Sequence, residues 1–380
     1  MKTIVILSTE AWGKMMLSKM HYAVEMARAG DRVFFVEPPT AEKIKTSVHV
    51  LEGSEGVTVI RFRQVPARRL LRNKAFWLYQ ILIKRYVKTI LRITGSIDDL
   101  WCFDPNNYCD LSSFRAKHNL LLLYDFYKGK AVNKAICSAD LLVSVSRLII
   151  DNYKHSGIPQ LFIQHGLSQH FEERSKARLE AWDFNHNSPK IKVGYVGNLL
   201  REGLCIEVMK QIITGHQDKE FHFWGVYELT GNNLVSEQYN PPQESLRFVQ
   251  FLSTQQHVRL HGAVDQESLA SGMFTMDVFL FLYSYEKDLN KASNAHKLME
   301  YLSTGKVVVS TFVSNYQDTD LLYMTPSGKE QQLSEMFSEV MVRLDEYNRP
   351  DCQAERIRFA LDNTYSNQVV KIRATLRNEL

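Results

Sequence analysis

Residues 293–311 read SNAHKLMEYLSTGKVVVST, and this stretch decides the fold. Its first part has apolar residues at helical spacing, with Asn294 or Ser293 as a suitable N-cap and Gly305 as a suitable helix stop. The valines that follow predict an apolar strand, and residues 278–284 predict another strand upstream. A strand, a helix and a second strand of this kind indicate a βαβ unit in a parallel sheet that is covered on both faces.

The same alternation of apolar strands and amphipathic helices extends along the whole chain. Further strands are predicted in the first half at residues 3–8, 32–38, 57–63, 100–104, 119–125, 140–146 and 160–164, and in the second half at 192–197, 220–225, 258–262 and 306–311. We therefore predict an α/β protein with two Rossmann-like, doubly wound parallel-sheet domains. The predicted boundaries are an N-terminal domain over 1–171, a charged linker over 172–190, a C-terminal domain over 191–350 and a closing helical segment over 351–380 that packs on the domains.

Composition is that of a folded, water-soluble protein. The 380 residues are 45% hydrophobic and 23% charged, which excludes an extensively disordered chain. The five cysteines are scattered without a C-x-x-C pair, so reduced thiols in a cytoplasm are expected. Because the chain has neither a signal-peptide core at its start nor an apolar run of about 20 residues, we expect a cytoplasmic protein that does not cross a membrane.

Positive charge is concentrated in the first half. Residues 1–180 carry 27 basic and 17 acidic side chains, whereas 181–380 carry 19 and 25. Between Glu55 and Asp98 ten basic residues occur without one acid, interleaved with aliphatic and aromatic side chains. Such a pattern favours contact with an anionic membrane surface. The alternative is a core helix of the first domain with a basic solvent face. The residues predicted for this membrane or acceptor face are Arg68, Arg69, Arg72, Lys74 and Trp77.

The helix predicted at 294–304 carries the strongest candidate site. It starts where a parallel strand ends, and free N–H groups at such a helix start favour a phosphate. Lys297 in the first turn and Glu300 three residues later lie on one side of the helix. A cation for a diphosphate and a carboxylate for two ribose hydroxyls would then be displayed together. The alternative is an ordinary capped surface helix with a Lys–Glu pair.

The same stretch resembles the donor-site signature of a known enzyme family. Its Ser-Asn, Lys-Leu, Glu-Tyr-Leu, Gly-Lys and Val-Val-Ser-Thr elements are similar to those of retaining, nucleotide-sugar-dependent glycosyltransferases of the group 1 (family 4) type, which have the GT-B fold. Other segments agree with the family in order: Ala139-Asp140 with Ser144 and Ser146, His165-Gly166, Gly194 to Asn198, Val258 to Gly262 and Met276-Asp277-Val278. The resemblance spans roughly residues 1–311.

This resemblance implies a fold, an activity and a set of site residues. It implies two domains with a cleft between them, a nucleotide-sugar donor on the second domain, and transfer to a glycan or lipid-linked glycan acceptor with retention of configuration. Neither a metal nor another cofactor is expected, and no nucleic acid partner. The expected donor-binding residues are Gly197, Asn198, Arg201, Gly262, Tyr283, Asn294, Lys297, Leu298 and Glu300. The alternatives are a nucleotide-sugar 2-epimerase and a catalytically dead nucleotide- or glycan-binding subunit.

First-domain candidates follow the carboxyl ends of predicted strands. Asp104 and Asp125 are the catalytic candidates, since each could orient a sugar hydroxyl, although capping the next helix is the commoner role. Gly13 and Lys14 follow the first strand, where the resemblance implies an approach to the donor phosphate. A plain turn is the alternative.

The chain departs from the family pattern in two places. Family members commonly have a Glu eight residues before the helix carboxylate, and Ala292 occupies that position. The loop after the second domain's first strand offers only Arg201 for the diphosphate, so phosphate binding would depend on Arg201, Lys297, helix N–H groups or Lys291. The absent glutamate favours the dead-subunit alternative.

Three other motifs do not support a site. Asp318-Thr319-Asp320 is a D-x-D, but it follows a late strand of the second domain and is predicted as a loop. His257 and His261 have zinc-ligand spacing for a helix, yet they flank a predicted strand that separates them by about 13 Å. Gly194 and Gly197 form only a fragment of a dinucleotide fingerprint, which disfavours a nicotinamide enzyme.

Overall fold

The computed structural model describes residues 1–13, 16–40, 48–63, 71, 74–184, 189–228, 240–287 and 294–379. The chain forms two compact units: unit 1 comprises Met1–Gln164 and Tyr365–Leu380, and unit 2 comprises His165–Thr364. Each unit contains one largely or wholly parallel sheet. The prediction of two doubly wound parallel-sheet domains is therefore confirmed.

Unit 1 is built on an eight-stranded sheet with the order β3-β4-β2-β1-β5-β6-β7-β8. Neighbouring strands pair in parallel, except that β3 runs antiparallel to β4. The sequence did not predict β3, because an exposed edge strand lacks the buried apolar run that marks the others. The strands are β1 Thr3–Leu7, β2 Arg32–Val36, β3 Val48–Glu52, β4 Thr58–Phe62, β5 Asp99–Cys102, β6 His118–Leu123, β7 Leu141–Ser144 and β8 Gln160–Phe162.

Unit 2 is built on a six-stranded sheet with the order β11-β10-β9-β12-β13-β14, and all its pairs are parallel. The chain moves outward from β9 to β11 and then crosses back to β12. Strand order therefore reverses between β9 and β12. The strands are β9 Lys192–Val196, β10 Glu220–Trp224, β11 Val258–Gly262, β12 Val278–Phe281, β13 Val307–Ser310 and β14 Tyr323–Met324.

Helices cover both faces of the sheets, which explains why the strands are apolar on both sides. In β1, for example, Ile4 and Ile6 belong to one core cluster and Val5 and Leu7 to another. The helices are α1 Ser18–Arg28, α2 Phe76–Thr94, α3 Lys130–Cys137, α4 Arg147–Asn152, α5 Gln169–Ala181, α6 Ile206–Gly215, α7 Gln243–Thr254, α8 Gln266–Met273, α9 His296–Ser303, α10 Leu333–Val342, α11 Leu344–Tyr347, α12 Pro350–Leu361 and α13 Tyr365–Glu379.

The segment predicted as a linker, 172–190, begins inside a helix of unit 2. Helix α5 buries only Phe171 and Ser175, so it shows no apolar periodicity in the sequence. Polar contacts hold it instead: the Ser175 hydroxyl donates to the Ser303 carbonyl over 2.8 Å and Arg178 donates to the Thr304 carbonyl over 2.7 Å. The closing segment, 351–380, is also divided, because α12 belongs to unit 2 and α13 to unit 1.

Helix α13 is fixed to α1 by aromatic packing and a buried hydrogen bond. The Tyr365 hydroxyl bonds to the Ser18 hydroxyl over 3.0 Å, and its ring stacks on His21 at 4.7 Å. The last helix of the chain thus completes the first unit.

The amino end of β13 in unit 2 carries a buried cation. Lys306 is 4% exposed and lines a cavity of about 230 Å³ together with Asp277 and Asn348. Its ammonium group forms no hydrogen bond or ion pair with a residue in the described part of the chain. Burial, followed by repulsion from Arg178, lowers the pKa of Lys306 from 10.5 to about 8. The protonated side chain therefore destabilises the folded state at neutral pH.

We expect Lys306→Met to raise the melting temperature at pH 7. Because the folded-state pKa lies below the unfolded value, the destabilisation is full below pH 8 and is relieved as pH rises toward 10.5. Removing the buried charge should stabilise the fold by about 1–3 kcal/mol at pH 7. Calorimetry of Lys306→Met and of the exposed control Lys329→Met checks this. An equal or lower melting temperature for Lys306→Met than for wild type would contradict it.

Candidate functional site

The candidate site lies where the carboxyl ends of β9 and β12 meet in unit 2. Strand order reverses between these strands, and open parallel sheets bind ligands at that position. The loop after β9 returns across the end of β12, where Leu204 bridges to Tyr283 and the Ser284 amide donates to the Gly203 carbonyl over 2.9 Å. The start of α9 completes the site.

Lys297 holds a buried positive charge at this edge of the sheet. The residue is 4% exposed, and its Nζ donates to the Tyr283 hydroxyl over 2.6 Å. The Tyr283 hydroxyl lies 3.1 Å from the Tyr195 hydroxyl. Nζ also lies 4.6 Å and 5.1 Å from the ring centroids of Tyr283 and Tyr195, where the negative faces of the rings attract a cation. Burial raises the pKa of the Tyr195 hydroxyl, which keeps this phenol neutral.

Glycines allow the backbone to close over this ammonium group. A Cβ atom on Gly197 would lie 2.5 Å from Lys297 Nζ and 2.7 Å from the Tyr195 hydroxyl. Gly225, at the end of β10, has a φ of +121°, and a Cβ there would overlap the carbonyl oxygen of Gly197. No other residue type fits these two positions without displacing the backbone or the lysine.

Glu300 lies one turn after Lys297 and is also buried, at 6% exposure. Burial raises the pKa of Glu300 to about 7, and the charge of Lys297 opposes that rise. Within the described residues its carboxylate has no hydrogen-bond partner. It can therefore accept hydrogen bonds from a ligand's hydroxyl groups, and the ionised fraction changes around neutral pH.

Helix α9 begins later than predicted. Ala295 takes the N-cap position without a side-chain cap bond, so the prediction of Asn294 as the N-cap is wrong. Asn294 precedes the helix and is 5% exposed. Because an alanine side chain has no hydrogen-bond acceptor, Ala295 does not cap the backbone N–H groups of the first turn. The end of the helix agrees with prediction, because Gly305 follows it with a φ of +81°.

The remaining predicted donor residues occupy distinct positions. Arg201 lies near Tyr195, where burial raises the pKa of the phenol and the charge of Arg201 partly opposes that rise. The Asn198 side chain accepts from the Leu200 amide over 2.9 Å and so shapes the loop after β9. Gly262 ends β11, where its carbonyl accepts from the Gly225 amide over 2.8 Å. Leu298 is fully buried and packs in the core.

The predicted first-domain residues belong to unit 1. Asp104 is 3% exposed and accepts from the Asn107 backbone amide over 3.1 Å and from its side chain. These bonds close a turn at residues 105–107, and they do not cap a helix. Asp125 is exposed at the carboxyl end of β6. Gly13 lies in the irregular segment after β1, and Lys14 falls outside the described residues.

Several sequence-based expectations concern residues that the structure does not describe. These residues are Arg68, Arg69, Arg72, Lys291, Ala292 and Ser293. Of the predicted basic face, Lys74 and Trp77 are described, and both are exposed at the start of α2.

The histidines with zinc-like spacing are held apart by a strand, as predicted. Residues 258–262 form β11, His257 bonds to the Ile213 carbonyl at 3.0 Å, and His261 lies 2.9 Å from His222. Across the described ranges, no group of three or more His, Cys, Asp or Glu side chains is arranged to hold a metal ion. Asp318 and Asp320 lie in an exposed turn.

Sequence reasoning missed the aromatic residues that hold the site together. Tyr195 contacts Tyr283 and Lys297, and the Tyr301 hydroxyl accepts from the Val196 amide over 2.7 Å. Tyr195 lies in the apolar strand β9 and Tyr301 in the buried helix α9, where periodicity does not distinguish a core ring from a site ring. The tyrosine hydroxyl is the signal that could have identified them, since a buried tyrosine usually has a hydrogen-bond partner.

Comparison with known proteins gives structural matches only. No family model matches the chain, and no curated protein matches it. Sucrose-phosphate synthase from Thermosynechococcus elongatus superposes with a TM-score of 0.70 at 13% identity, covering 100% of both chains. A UDP-forming α,α-trehalose-phosphate synthase from Burkholderia xenovorans gives 0.68 at 12% identity over 100% of this chain and 99% of that one. Anabaena HepE in complex with UDP-glucose gives 0.65 at 15% identity, with full coverage of both.

At such low sequence identity, these matches are evidence for the fold alone. They extend over the whole chain, including both parallel-sheet units. The fold of this protein is the GT-B fold, as the resemblance of residues 293–311 implied.

We expect Glu300→Gln to weaken binding of a nucleoside diphosphate by roughly 1.5–3 kcal/mol, because an amide accepts hydroxyl hydrogen bonds less strongly than a carboxylate. In the wild type, the raised pKa of Glu300 also makes the unliganded fold less stable as pH rises from 4.5 to 7. The variant should therefore melt higher than wild type at pH 8. Calorimetric titration and melting curves test both effects against the exposed control Glu335→Gln. Unchanged nucleotide affinity would remove Glu300 from the site.

Gly197→Ala should lower affinity for a nucleoside diphosphate at least about tenfold, because its methyl group competes with the Lys297 ammonium for the same space. Gly215→Ala is the matched control, since a Cβ there meets nothing within 4 Å. Titration of both variants measures the difference. Equal affinities would show that Lys297 moves aside without consequence for binding.

Proposed function

We propose that this protein is a retaining glycosyltransferase of the group 1 (family 4) type. It transfers a sugar from a nucleoside diphosphate sugar to a glycan or lipid-linked glycan, as in cell-surface polysaccharide or lipopolysaccharide synthesis. The observation that carries the proposal is the placement of Lys297 and Glu300 together on α9, at the position where strand order reverses in unit 2. Two matched proteins, named as UDP-forming or bound to UDP-glucose, support a nucleotide-sugar donor.

In the proposed reaction, unit 2 binds the donor. Glu300 accepts hydrogen bonds from the ribose hydroxyls, and Lys297 faces the diphosphate with the first-turn N–H groups of α9. As the glycosidic bond to the donor phosphate breaks, negative charge grows on the leaving diphosphate, and a fixed cation in a buried site stabilises that charge. Arg201, on the loop after β9, is proposed as a second cation for the diphosphate. We propose that the reaction needs no divalent metal.

The acceptor is assigned to unit 1. Asp125 is the better candidate there to orient a sugar hydroxyl, because it is exposed at the carboxyl end of a strand, whereas Asp104 is engaged by Asn107. Two of the matched proteins are named as synthases of sugar phosphates, so a small sugar phosphate belongs among the acceptors to be tested. We propose a cytoplasmic location with peripheral contact at the inner face of the membrane. In the ranges that the structure covers, no helix has the length and apolar character to cross a bilayer.

A catalytically dead nucleotide- or glycan-binding subunit is the second candidate. It is favoured by Ala292, which replaces the first of the two glutamates that the family commonly has. A nucleotide-sugar 2-epimerase on the same fold is the remaining alternative from the sequence.

Turnover with nucleotide sugars separates these functions. We expect release of nucleoside diphosphate only when both a donor and an acceptor from a panel of glycans, lipid-linked glycans and sugar phosphates are present. Activity should persist in EDTA, and NMR of the product should show the donor's anomeric configuration. An isomerised donor without acceptor would indicate an epimerase, and binding without turnover a dead subunit. Activity lost in EDTA and restored by Mn²⁺ or Mg²⁺ would overturn metal independence.

A further inference from the structure

One face of α2 in unit 1 is exposed along its whole length. The buried face consists of Tyr79, Ile83, Val87, Ile90 and Thr94, which face the sheet. The exposed residues recur every three or four positions and therefore form one stripe on the opposite face. This exposed stripe consists of Trp77, Ile81, Lys84, Arg85, Lys88 and Arg92, and the exposed Lys74 lies two residues before the helix.

None of the four basic residues of the exposed stripe forms an ion pair with a described residue, and the four lie together on one helix face. Other basic side chains of the unit are paired, such as Lys2 with Asp99, Arg61 with Glu37 and Lys117 with Asp98. A hydrogen bond from Ser112 lowers the pKa of Asp110, and the charges of Lys134 and Lys84 contribute. Asp110 itself forms an ion pair with Lys134. The stripe thus presents positive charge that no acid in the described part of the chain neutralises through an ion pair.

The amino-terminal part of the exposed stripe is apolar. Trp77 is 70% exposed and Ile81, one turn later, is 47% exposed. An exposed indole next to an exposed aliphatic side chain is unfavourable in water. Tryptophan and basic side chains together match the interface of a bilayer, where rings lie at headgroup level and cations face anionic lipid.

We propose that the exposed stripe of α2 docks on the surface of an anionic lipid bilayer. Trp77 and Ile81 enter the headgroup region, while Lys84, Arg85, Lys88 and Arg92 contact lipid phosphates. This proposal identifies an anionic bilayer as the partner of unit 1, to which we assign the acceptor. In that respect it rests on the proposed function. Its physical basis lies in α2 and is independent of the donor residues Lys297 and Glu300.

The test is flotation of the full-length protein with vesicles of neutral lipid and of neutral lipid mixed with phosphatidylglycerol. The stripe variant carries Lys84→Ser, Arg85→Ser, Lys88→Ser and Arg92→Ser. The control variant loses the same charge elsewhere on unit 1, through Arg115→Ser, Lys128→Ser, Lys130→Ser and Lys154→Ser. Those four residues are exposed and, within the described chain, unpaired.

We expect wild type and the control variant to bind anionic vesicles in preference to neutral ones. The stripe variant should bind at least about tenfold more weakly, because each basic residue near an anionic surface contributes about fivefold. Higher salt should weaken wild-type binding, since attraction at the surface is screened over about 8 Å at physiological ionic strength. Trp77→Ser with Ile81→Ser should lower the part of the binding that survives high salt.

Three results would overturn the proposal. The first is equal binding of the wild type to neutral and anionic vesicles, and the second is a loss of binding in the control variant as large as that in the stripe variant. The third is displacement of the wild type from anionic vesicles by single-stranded RNA of the same total charge, which would indicate that the stripe binds nucleic acid. Nucleoside diphosphate binding by each variant, measured in parallel, separates this proposal from the proposed function. If the stripe variant binds nucleotide but not vesicles, the docking proposal is supported. If the wild type binds vesicles but not nucleotide, the result contradicts the proposed donor site and leaves the docking proposal intact.

Discussion

The contact between Gly194 and the ring of Phe279 sets the geometry on which the candidate site depends. These residues are partners in the parallel pair β9–β12, and a Cβ on Gly194 would lie 2.6 Å from the Phe279 ring. The glycine therefore leaves the space in which the ring packs. On its other side Phe279 stacks on Tyr301 at 4.4 Å, and the Tyr301 hydroxyl accepts from the Val196 amide. This chain of contacts fixes α9 on the sheet, and with it the positions of Lys297 and Glu300.

Unit 2 buries charged side chains at both edges of its sheet, and their surroundings differ between the two edges. At the carboxyl edge, tyrosine hydroxyls and ring faces surround the Lys297 ammonium, and the raised pKa of Glu300 reflects burial without a full set of partners. At the amino edge, Lys306 lacks a described partner, and Arg178 and Arg356 instead satisfy carbonyls at the end of α9. A folded state that keeps such groups is less stable than an apolar equivalent. The carboxyl-edge arrangement is the one suited to a charged ligand.

The two units also differ in how they use exposed charge. Unit 1 presents the unpaired basic face of α2, whereas the exposed charges of unit 2 are frequently paired along helices, as in Arg343 with Glu339 and Lys210 with Glu207. Paired surface charges contribute little to stability and attract no particular partner. Unpaired like charges generate a field that favours an anionic surface. The proposed contact of unit 1 with an anionic surface depends on this basic face.

The sequence by itself determined the fold and the centre of the candidate site. Strands buried on both faces are apolar throughout, and they were predicted because that pattern is local. The pair Lys297 and Glu300 was predicted because their spacing on one helix is also local. Elements held by polar or edge contacts were missed, namely β3 and α5, whose carboxyl-terminal part lies in the predicted linker. The tyrosines at 195 and 301, and the close approach of Gly197 to Lys297, were decided only by the tertiary structure, because they depend on contacts between residues about 100 positions apart in the chain. Periodicity reports which face of an element is buried, and it does not report which distant side chain meets it there.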